Sequence, residues 1–148
     1  MKAIRDPSTL EVETIKDWYE VRNKGPVPTR RKLITINVGE IWQVQDFRVP
    51  VKMIVPLNGK AKGFHLTGGS TPKKLEIDFQ PRGFQAELLK HGIGLVTTVV
   101  QEPGTYGQKE LSQQSEARFA KSLNPRHKIQ FWAWPATLMR AITAAYAE

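Results

Sequence analysis

Residues 63–100 contain a strand, a glycine-rich turn, a helix and a second strand in succession, and they read GFHLTGGSTPKKLEIDFQPRGFQAELLKHGIGLVTTVV. The short apolar run 63–67 predicts the first strand. Residues 81–92 have helical spacing and end on Gly92, a residue type that commonly terminates helices. Residues 93–100 are β-branched and apolar on both faces, as in a strand of a covered parallel sheet. This strand–helix–strand unit predicts an α/β fold.

Two longer strands are predicted upstream of this unit. Residues 32–44 are rich in β-branched and aromatic side chains, and Gly39 predicts a bulge within them. Residues 47–56 alternate with the period of a strand, and Pro50 restricts that strand to a bulge or to a position that needs no backbone donor. We therefore predict an antiparallel strand pair near a sheet edge, followed by parallel βαβ units.

The remaining residues predict helices around one domain. A chain of 148 residues suits a single domain with its own core. We divide it into an N-terminal extension, residues 1–29, and a domain that covers residues 30–148. Short helices are predicted over residues 12–19 and 111–123, and a final helix over residues 135–148.

The final predicted helix lacks a stop signal at its C-terminal end. No Gly, Asn or cation follows its apolar face, and Glu148 places negative charge where the helix macrodipole disfavours it. We interpret this pattern as a sign that the polypeptide continues, or that a partner covers this end of the helix.

The composition excludes several kinds of chemistry. The chain has no cysteine, which rules out disulfides, thiolate catalysis and cysteine-bound metals. Its three histidines lack metal-ligand spacing, so we predict neither a metal nor a cofactor. No apolar stretch is long enough to span a bilayer, and no signal peptide is visible. This pattern favours the cytoplasm by default, or the periplasm or the exterior if a signal was trimmed.

The formal charge of +8 is concentrated in the middle of the chain. Residues 21–90 hold 13 basic and 5 acidic side chains. A field of this sign attracts phosphates, carboxylates and anionic polymers. No RNP-like strand motif, GXXG clamp or zinc-finger spacing is present, so a nucleic-acid partner is not expected.

The main candidate for chemistry is the loop Gly68-Gly69-Ser70, directly after the first strand of the βαβ unit. Adjacent glycines let backbone N–H groups approach an anionic oxygen closely. One interpretation is an oxyanion hole of the kind that follows the third strand of α/β-hydrolases. A second is a phosphate cradle assisted by Lys73 and Lys74. A third is a tight turn that needs glycine for a positive φ.

A catalytic nucleophile is missing from the sequence. None of the five serines stands in a G-x-S-x-G elbow between a strand and a helix. A Ser-His-acid triad therefore cannot be assembled from these residues, and a hydrolase built on this chain alone would lack its nucleophile.

A longer pattern resembles the N-terminal half of the PhoPQ-activated pathogenicity-related proteins, which belong to the α/β-hydrolase superfamily. The residues that carry the likeness are Trp42, RVPVKMIVP at 48–56, FHLTGG at 64–69, VVQEP at 99–103, EARF at 116–119, FWAWP at 131–135 and MRAI at 139–142. The resemblance implies an incomplete three-layer α/β-hydrolase sheet that acts on an ester, amide or similar carbonyl substrate.

The same resemblance implies that catalysis needs more than this chain. In that family the nucleophilic serine comes on the strand after the helix that ends here at Glu148, and the acid and histidine come later. No triad residue carries over. Gly68 and Gly69 transfer as part of an oxyanion hole, with Ser70 beside them. The implied partner is a complementing C-terminal polypeptide.

Two alternatives remain open at this point. Residues 66–75, LTGGSTPKKL, resemble the phosphate-binding turn of 6-phosphogluconolactonases and glucosamine-6-phosphate isomerases, although the helical upstream flank and the Asp-Glu-Arg motif are absent. That likeness implies a sugar-phosphate lactonase or isomerase. The other alternative is a non-catalytic binding or assembly subunit that holds an anionic partner with its basic middle region.

Overall fold

The computed structural model describes residues 5–42, 45–100, 117, 120–123 and 129–148. A 3₁₀ turn at Pro7–Thr9 precedes the first strand. The strands and helices in chain order are β1 (Val12–Val21), β2 (Thr29–Trp42), β3 (Gln45–Pro56), β4 (Gly63–Thr67), α1 (Pro72–Glu76), α2 (Phe84–Lys90), β5 (Ile93–Thr98) and α3 (Ile129–Ala147).

The strands form one open, mostly antiparallel sheet in the order β1-β2-β3-β5-β4. β1, β2 and β3 are antiparallel neighbours, and β5 runs antiparallel to β3. β4 and β5 are parallel and are joined through α1 and α2, which is the predicted βαβ unit. The α/β class is therefore confirmed. The expectation that β2 and β3 lie near a sheet edge is wrong, because β3 is the central strand.

α3 covers one face of the sheet. Side chains alternate along β2 and β3, so Ile34 stands opposite Val51 and Ile36 opposite Val49. Small residues of α3 let the helix approach these strands closely. The buried core of this face contains Ile34, Ile36, Val38, Phe47, Val49, Val51, Met53, Val96, Ala136, Ala141, Ala144 and Ala145. Burial of each large aliphatic side chain contributes about 1.5–3 kcal/mol.

α1 and α2 cover the opposite face. Leu75 of α1 packs with Leu33 and Val99, and Leu89 of α2 packs with Ile54 and Leu95. Helices therefore cover both faces of the sheet. Because both faces are covered, β2 and β3 also carry apolar side chains on the second face, Leu33 beside Ile34 and Ile54 beside Met53.

The two irregular positions predicted for the long strands have clear structural roles. The β2–β3 register shifts between Asn37 and Gly39, and Gly39 has a φ of +131°, so the predicted bulge is confirmed. Pro50 is tolerated inside β3 because β5 pairs with β3 from Val51 onward. The Thr98 hydroxyl donates to the Pro50 carbonyl at 2.8 Å.

Three helix predictions differ from the structure. Residues 12–19 lie in β1 rather than in a helix, because backbone pairing with β2 outweighs a weak helical pattern. α3 begins at Ile129, so Pro135 lies inside the helix rather than near its start. Of the helix predicted over 111–123, the described residues 117 and 120–122 are helical, Leu123 is not, and the others lie outside the described residues.

A lysine from β2 lies at the C-terminal end of α3, whose last turn has no basic residue. Lys32, which is 8% exposed on β2, binds the Glu148 carboxylate and lies 3.4 Å from Asp17 Oδ1. Burial disfavours the ammonium, but hydrogen bonding and attraction from Glu148 outweigh it and raise the pKa of Lys32. A cation at this position also offsets the negative end of the helix macrodipole. Lys32 of β2 therefore supplies a cation that the last turn of the helix does not carry itself.

Candidate functional site

The Gly68-Gly69-Ser70 loop lies beside a cleft at the C-terminal ends of the two parallel strands. Thr67, the last residue of β4, pairs with Thr97, the second-last residue of β5, and the loop continues directly from β4. Crevices at this end of parallel strands are the usual ligand sites of open α/β sheets. The cleft, which we call the loop cleft, has a volume of about 450 Å³ and is lined by Thr67, Gly69, Ser70, Lys74, Leu75, Ile77, Phe79, Gln85 and Thr97.

The two glycines serve different purposes, and neither has a φ in the left-handed region. A Cβ atom on Gly68 would lie 2.9 Å from Val100 Cγ1 and 3.0 Å from Leu138 Cδ2, so Gly68 allows the loop to approach α3. A Cβ atom on Gly69 would meet no atom within 4 Å. The expectation of a turn that needs positive φ is therefore wrong. Gly69 is the open position of the loop.

The backbone of the loop is partly used by the sheet. The Val100 N–H donates to the Gly68 carbonyl at 3.2 Å, and Gly69 forms an isolated antiparallel bridge with Val99. The Ser70 hydroxyl donates to the Thr71 carbonyl at 3.3 Å. Within the described part of the chain, no hydrogen bond has the Gly69 N–H as its donor. This N–H is therefore the donor that the loop can offer to a ligand.

A short helix follows the loop, and sequence reasoning missed it. Thr71 caps α1 by accepting from the Lys74 N–H at 3.4 Å, and Pro72 occupies the first helical position. This Thr-Pro pair is a recognised start signal and could have been used. Lys74 lines the loop cleft, and Lys73 is exposed outside it. The phosphate-cradle interpretation thus retains one of its two lysines at the cleft.

Polar groups of the cleft floor come from the strand ends. The Thr67 and Thr97 hydroxyls are hydrogen bonded to each other at 3.3 Å. His65 lies two residues earlier on the same face, but its ring packs edge-on against Phe84 with centroids 5.6 Å apart. His65 is not part of the cleft lining, so it supplies no base there.

A buried group of charges stands behind the cleft wall. We call it the Asp78 cluster; its members are Tyr19, Arg31, Lys52 and Asp78. Asp78 Oδ1 accepts from Tyr19 Oη at 2.7 Å and from Lys52 Nζ at 3.2 Å, and lies 3.6 Å from Arg31 Nη1. The side chains of Arg31 and Lys52 are 0% and 1% exposed, whereas that of Asp78 is 32% exposed. One carboxylate therefore balances two buried cations.

The cluster also fixes the wall of the loop cleft. Lys52 Nζ donates to the Ile77 carbonyl at 3.0 Å, and Arg31 Nη1 donates to the Phe79 carbonyl at 2.8 Å. These carbonyls belong to the segment between α1 and α2, where side-chain donors take the place of a regular backbone ladder. Ile77 and Phe79 both line the loop cleft. The buried cations thus hold this wall against the sheet.

Burial is the main influence on the pKa of every member of the cluster. It lowers the pKa of Lys52 and of Arg31, and the attraction of Asp78 opposes it in both cases. At Asp78, burial disfavours ionisation, but hydrogen bonds from Tyr19 and Lys52 outweigh it and lower the pKa below 3.8. Burial and the hydrogen bond to Asp78 raise the pKa of Tyr19. Asp78 is therefore the group that favours the charged forms of both buried basic side chains.

Sequence reasoning missed this cluster for a physical reason. Lys52 occupies a polar position of the alternation along residues 47–56, which predicts a side chain directed toward solvent. In the structure that face is covered by the segment after α1, so Lys52 is buried on the face opposite Val51 and Met53. The signal that was available is Leu33 next to Ile34, an apolar pair that indicates a strand covered on both faces.

Several kinds of site are not found in the described part of the chain. No group of three or more His, Asp or Glu side chains is placed to hold a metal ion within the described residues. In those same residues, no helix has the length and apolar character needed to cross a membrane. Ser70 is the serine that lines the loop cleft, and Ser112 and Ser115 lie outside the described residues. Among the described residues, no serine other than Ser70 lines this cleft, so no other described serine there can act as the nucleophile.

Comparison of the chain with protein-family models, curated proteins and solved structures found no match.

Proposed function

We propose that this chain is the N-terminal part of an α/β-hydrolase-like domain that hydrolyses an ester, amide or similar carbonyl substrate once a complementing polypeptide supplies the triad. The observation that carries the proposal is the position of the Gly69–Ser70 backbone at the wall of the loop cleft, directly after a parallel strand. The antiparallel pair β2–β3 before the parallel pair β4–β5 agrees with the arrangement that the family resemblance implies.

The free edge of β4 offers a place for the missing strand. Among the described residues, β4 pairs with β5 alone and ends the sheet, and all five of its residues are partly exposed. An edge strand presents unpaired N–H and C=O groups that can pair with another strand. A strand added parallel to β4 would place its C-terminal end beside Gly69. A nucleophile at that end would therefore face the loop cleft.

The proposed chemistry assigns one step to this chain. The added nucleophile attacks the substrate carbonyl, its proton passes to the added base, and the carbonyl oxygen becomes an oxyanion. The Gly69 N–H, with the Ser70 N–H beside it, donates to that oxyanion. The apolar lining from Leu75, Ile77 and Phe79 holds the acyl or leaving-group part of the substrate.

A pair of substitutions at Gly69 tests this role in the complemented protein. Gly69→Pro removes the N–H, and loss of one oxyanion donor lowers kcat by about 10²–10³. Gly69→Ala keeps the N–H and adds a methyl group where no atom lies within 4 Å, so it is the matched control. We expect hydrolysis of p-nitrophenyl acetate to fall with the proline variant and to remain within about threefold of wild type with alanine.

Folding must be separated from catalysis in this test. Circular dichroism and native mass should show that both Gly69 variants fold and keep the complementing polypeptide. A folded, complexed Gly69→Pro protein with wild-type kcat would refute the oxyanion assignment.

The loop cleft gives less support to the sugar-phosphate alternative. The segment before the loop is strand β4, whereas the resemblance to those enzymes needs a helix there. Lys74 lines the cleft without Lys73, and α1 is five residues long. Glucosamine 6-phosphate should therefore leave the melting temperature unchanged; a rise of several degrees at millimolar ligand would favour this alternative instead.

A further inference from the structure

A second cleft lies on the sheet face that α3 covers, opposite the loop cleft. We call it the Trp18 cleft; its volume is about 360 Å³, and its lining includes Trp18, Arg30, Lys60, Phe64, Tyr146 and Glu148. Trp18 and Phe64 also pack against the core of this face. The cleft is therefore separated from the loop cleft by the thickness of the sheet, and the proposed hydrolase function does not use it.

The two cations of the Trp18 cleft have unused hydrogen-bond donors. The Arg30 guanidinium lies over the Trp18 ring, 5.0 Å from its centroid, and its Nε atom is buried without a hydrogen-bond partner. Within the described ranges, neither Arg30 nor Lys60 forms an ion pair. A buried N–H without a partner is costly, and a guanidinium has five donors that fit a carboxylate or phosphate.

The acidic group of this cleft is already neutralised. The Glu148 carboxylate is held by Lys32, which approaches from β2. Among the described side chains that line the cleft, no second acid balances the positive charge of Arg30 and Lys60. This charge favours an anion as the occupant.

The remaining walls are apolar and aromatic. The rings of Phe64 and Tyr146 meet edge to face, with centroids 5.0 Å apart and planes at 89°. Val55, Ala61 and Ala145 complete the apolar lining. The cleft therefore combines aromatic and aliphatic side chains with charged ones, and a small organic anion has both kinds of surface.

We propose that the Trp18 cleft binds a small organic anion in which a carboxylate or phosphate group is joined to a compact apolar body. Arg30 and Lys60 bind the oxyanion, and the planar Arg30 guanidinium, which lies over Trp18, can make a two-point contact with it. Phe64 and Tyr146 contact the apolar body.

Titration of the full chain with four probes tests the proposal. Phenyl phosphate and benzoate carry the two head groups, benzyl alcohol is the neutral analogue, and inorganic phosphate lacks the apolar body. Calorimetry gives the affinities, and the indole N–H signals of ¹⁵N-tryptophan-labelled protein, with Trp18→Phe as the assignment variant, locate the site. We expect phenyl phosphate or benzoate to bind and to shift the Trp18 signal, and the tighter of the two identifies the head group.

Matched charge variants separate a built site from general attraction. Arg30→Gln with Lys60→Gln should weaken binding of the organic anion about tenfold or more, because charge-assisted contacts are lost. Lys73→Gln with Arg82→Gln removes the same charge away from the cleft and should leave affinity within about twofold. Equal weakening by both pairs would overturn the proposal. The proposal would also be overturned if neither phenyl phosphate nor benzoate bound. The same holds if benzyl alcohol or inorganic phosphate bound as tightly as phenyl phosphate and benzoate.

Discussion

Replacement of Asp78 by Asn is expected to destabilise the fold strongly, because Asp78 supplies the carboxylate that two buried cations share. Arg31 and Lys52 are almost completely inaccessible and lie 3.6 and 3.2 Å from Asp78 Oδ1. Removal of one partner of a buried ion pair costs about 3–5 kcal/mol. Asp78 is itself 32% exposed, and Asn keeps an acceptor oxygen for Tyr19, so we expect the lower part of this range, about 3 kcal/mol.

Urea unfolding followed by circular dichroism measures this change directly. In thermal unfolding of a chain of this size, the same loss of about 3 kcal/mol lowers Tm by roughly 6–12 °C. Asp17→Asn is the control, because Asp17 also faces a lysine, Lys32, but its side chain is 78% exposed. That substitution should cost less than about 1 kcal/mol. The reasoning would be refuted if Asp78→Asn cost no more than Asp17→Asn.

A double substitution distinguishes unbalanced charge from a lost contact. Lys52→Met removes one buried cation and keeps a side chain of similar length. If unbalanced charge causes the loss, Asp78→Asn should cost less in the Lys52→Met background than in wild type, with a coupling of about 1–3 kcal/mol. Simple additivity would contradict this explanation.

Three further changes test other parts of the structure. The pKa of Asp78 is lower in the folded protein than its unfolded value of 3.8, so the ionised carboxylate stabilises the fold above pH 3.8. This stability is lost as the pH falls through the folded-state pKa. In urea unfolding, the free-energy cost of Asp78→Asn should therefore be smaller at about pH 3 than at pH 6. Gly68→Ala places a methyl group 2.9 Å from a valine and should cost about 1–2 kcal/mol by urea unfolding; a cost no greater than that of Gly69→Ala would count against the close approach. Lys32→Met removes the cation at the end of α3 and should lower stability by about 1–2 kcal/mol, and an unchanged unfolding midpoint would disprove its capping role.

Local patterns predicted much of the sheet. The alternation in β2 and β3, the β-branched run in β5 and the glycine that ends α2 each depend on neighbouring residues, so a sequence carries them directly. β1 was missed because its residues are mostly exposed and gain their conformation by pairing with β2. Strand order was also missed, since the position of β3 between β2 and β5 depends on pairings between distant residues.

The residues of the candidate site could likewise be predicted only where their position depends on neighbouring residues in the sequence. Gly69 and Ser70 could be found from the sequence because the loop directly follows a strand. Phe79 and Thr97 could not, since they reach the loop cleft through the crossover between β4 and β5. The burial of Lys52 depends on which segment covers that face of the sheet, and a lysine in an alternating strand gives no sign of it.

The native mass of the purified protein, measured together with labelling by a fluorophosphonate that reacts with activated serines, tests the central proposal most directly. Our account predicts a complex of this 16.8 kDa chain with a different polypeptide that carries the labelled serine and hydrolyses p-nitrophenyl acetate. A monomer or homo-oligomer without a labelled serine and without esterase activity would contradict it.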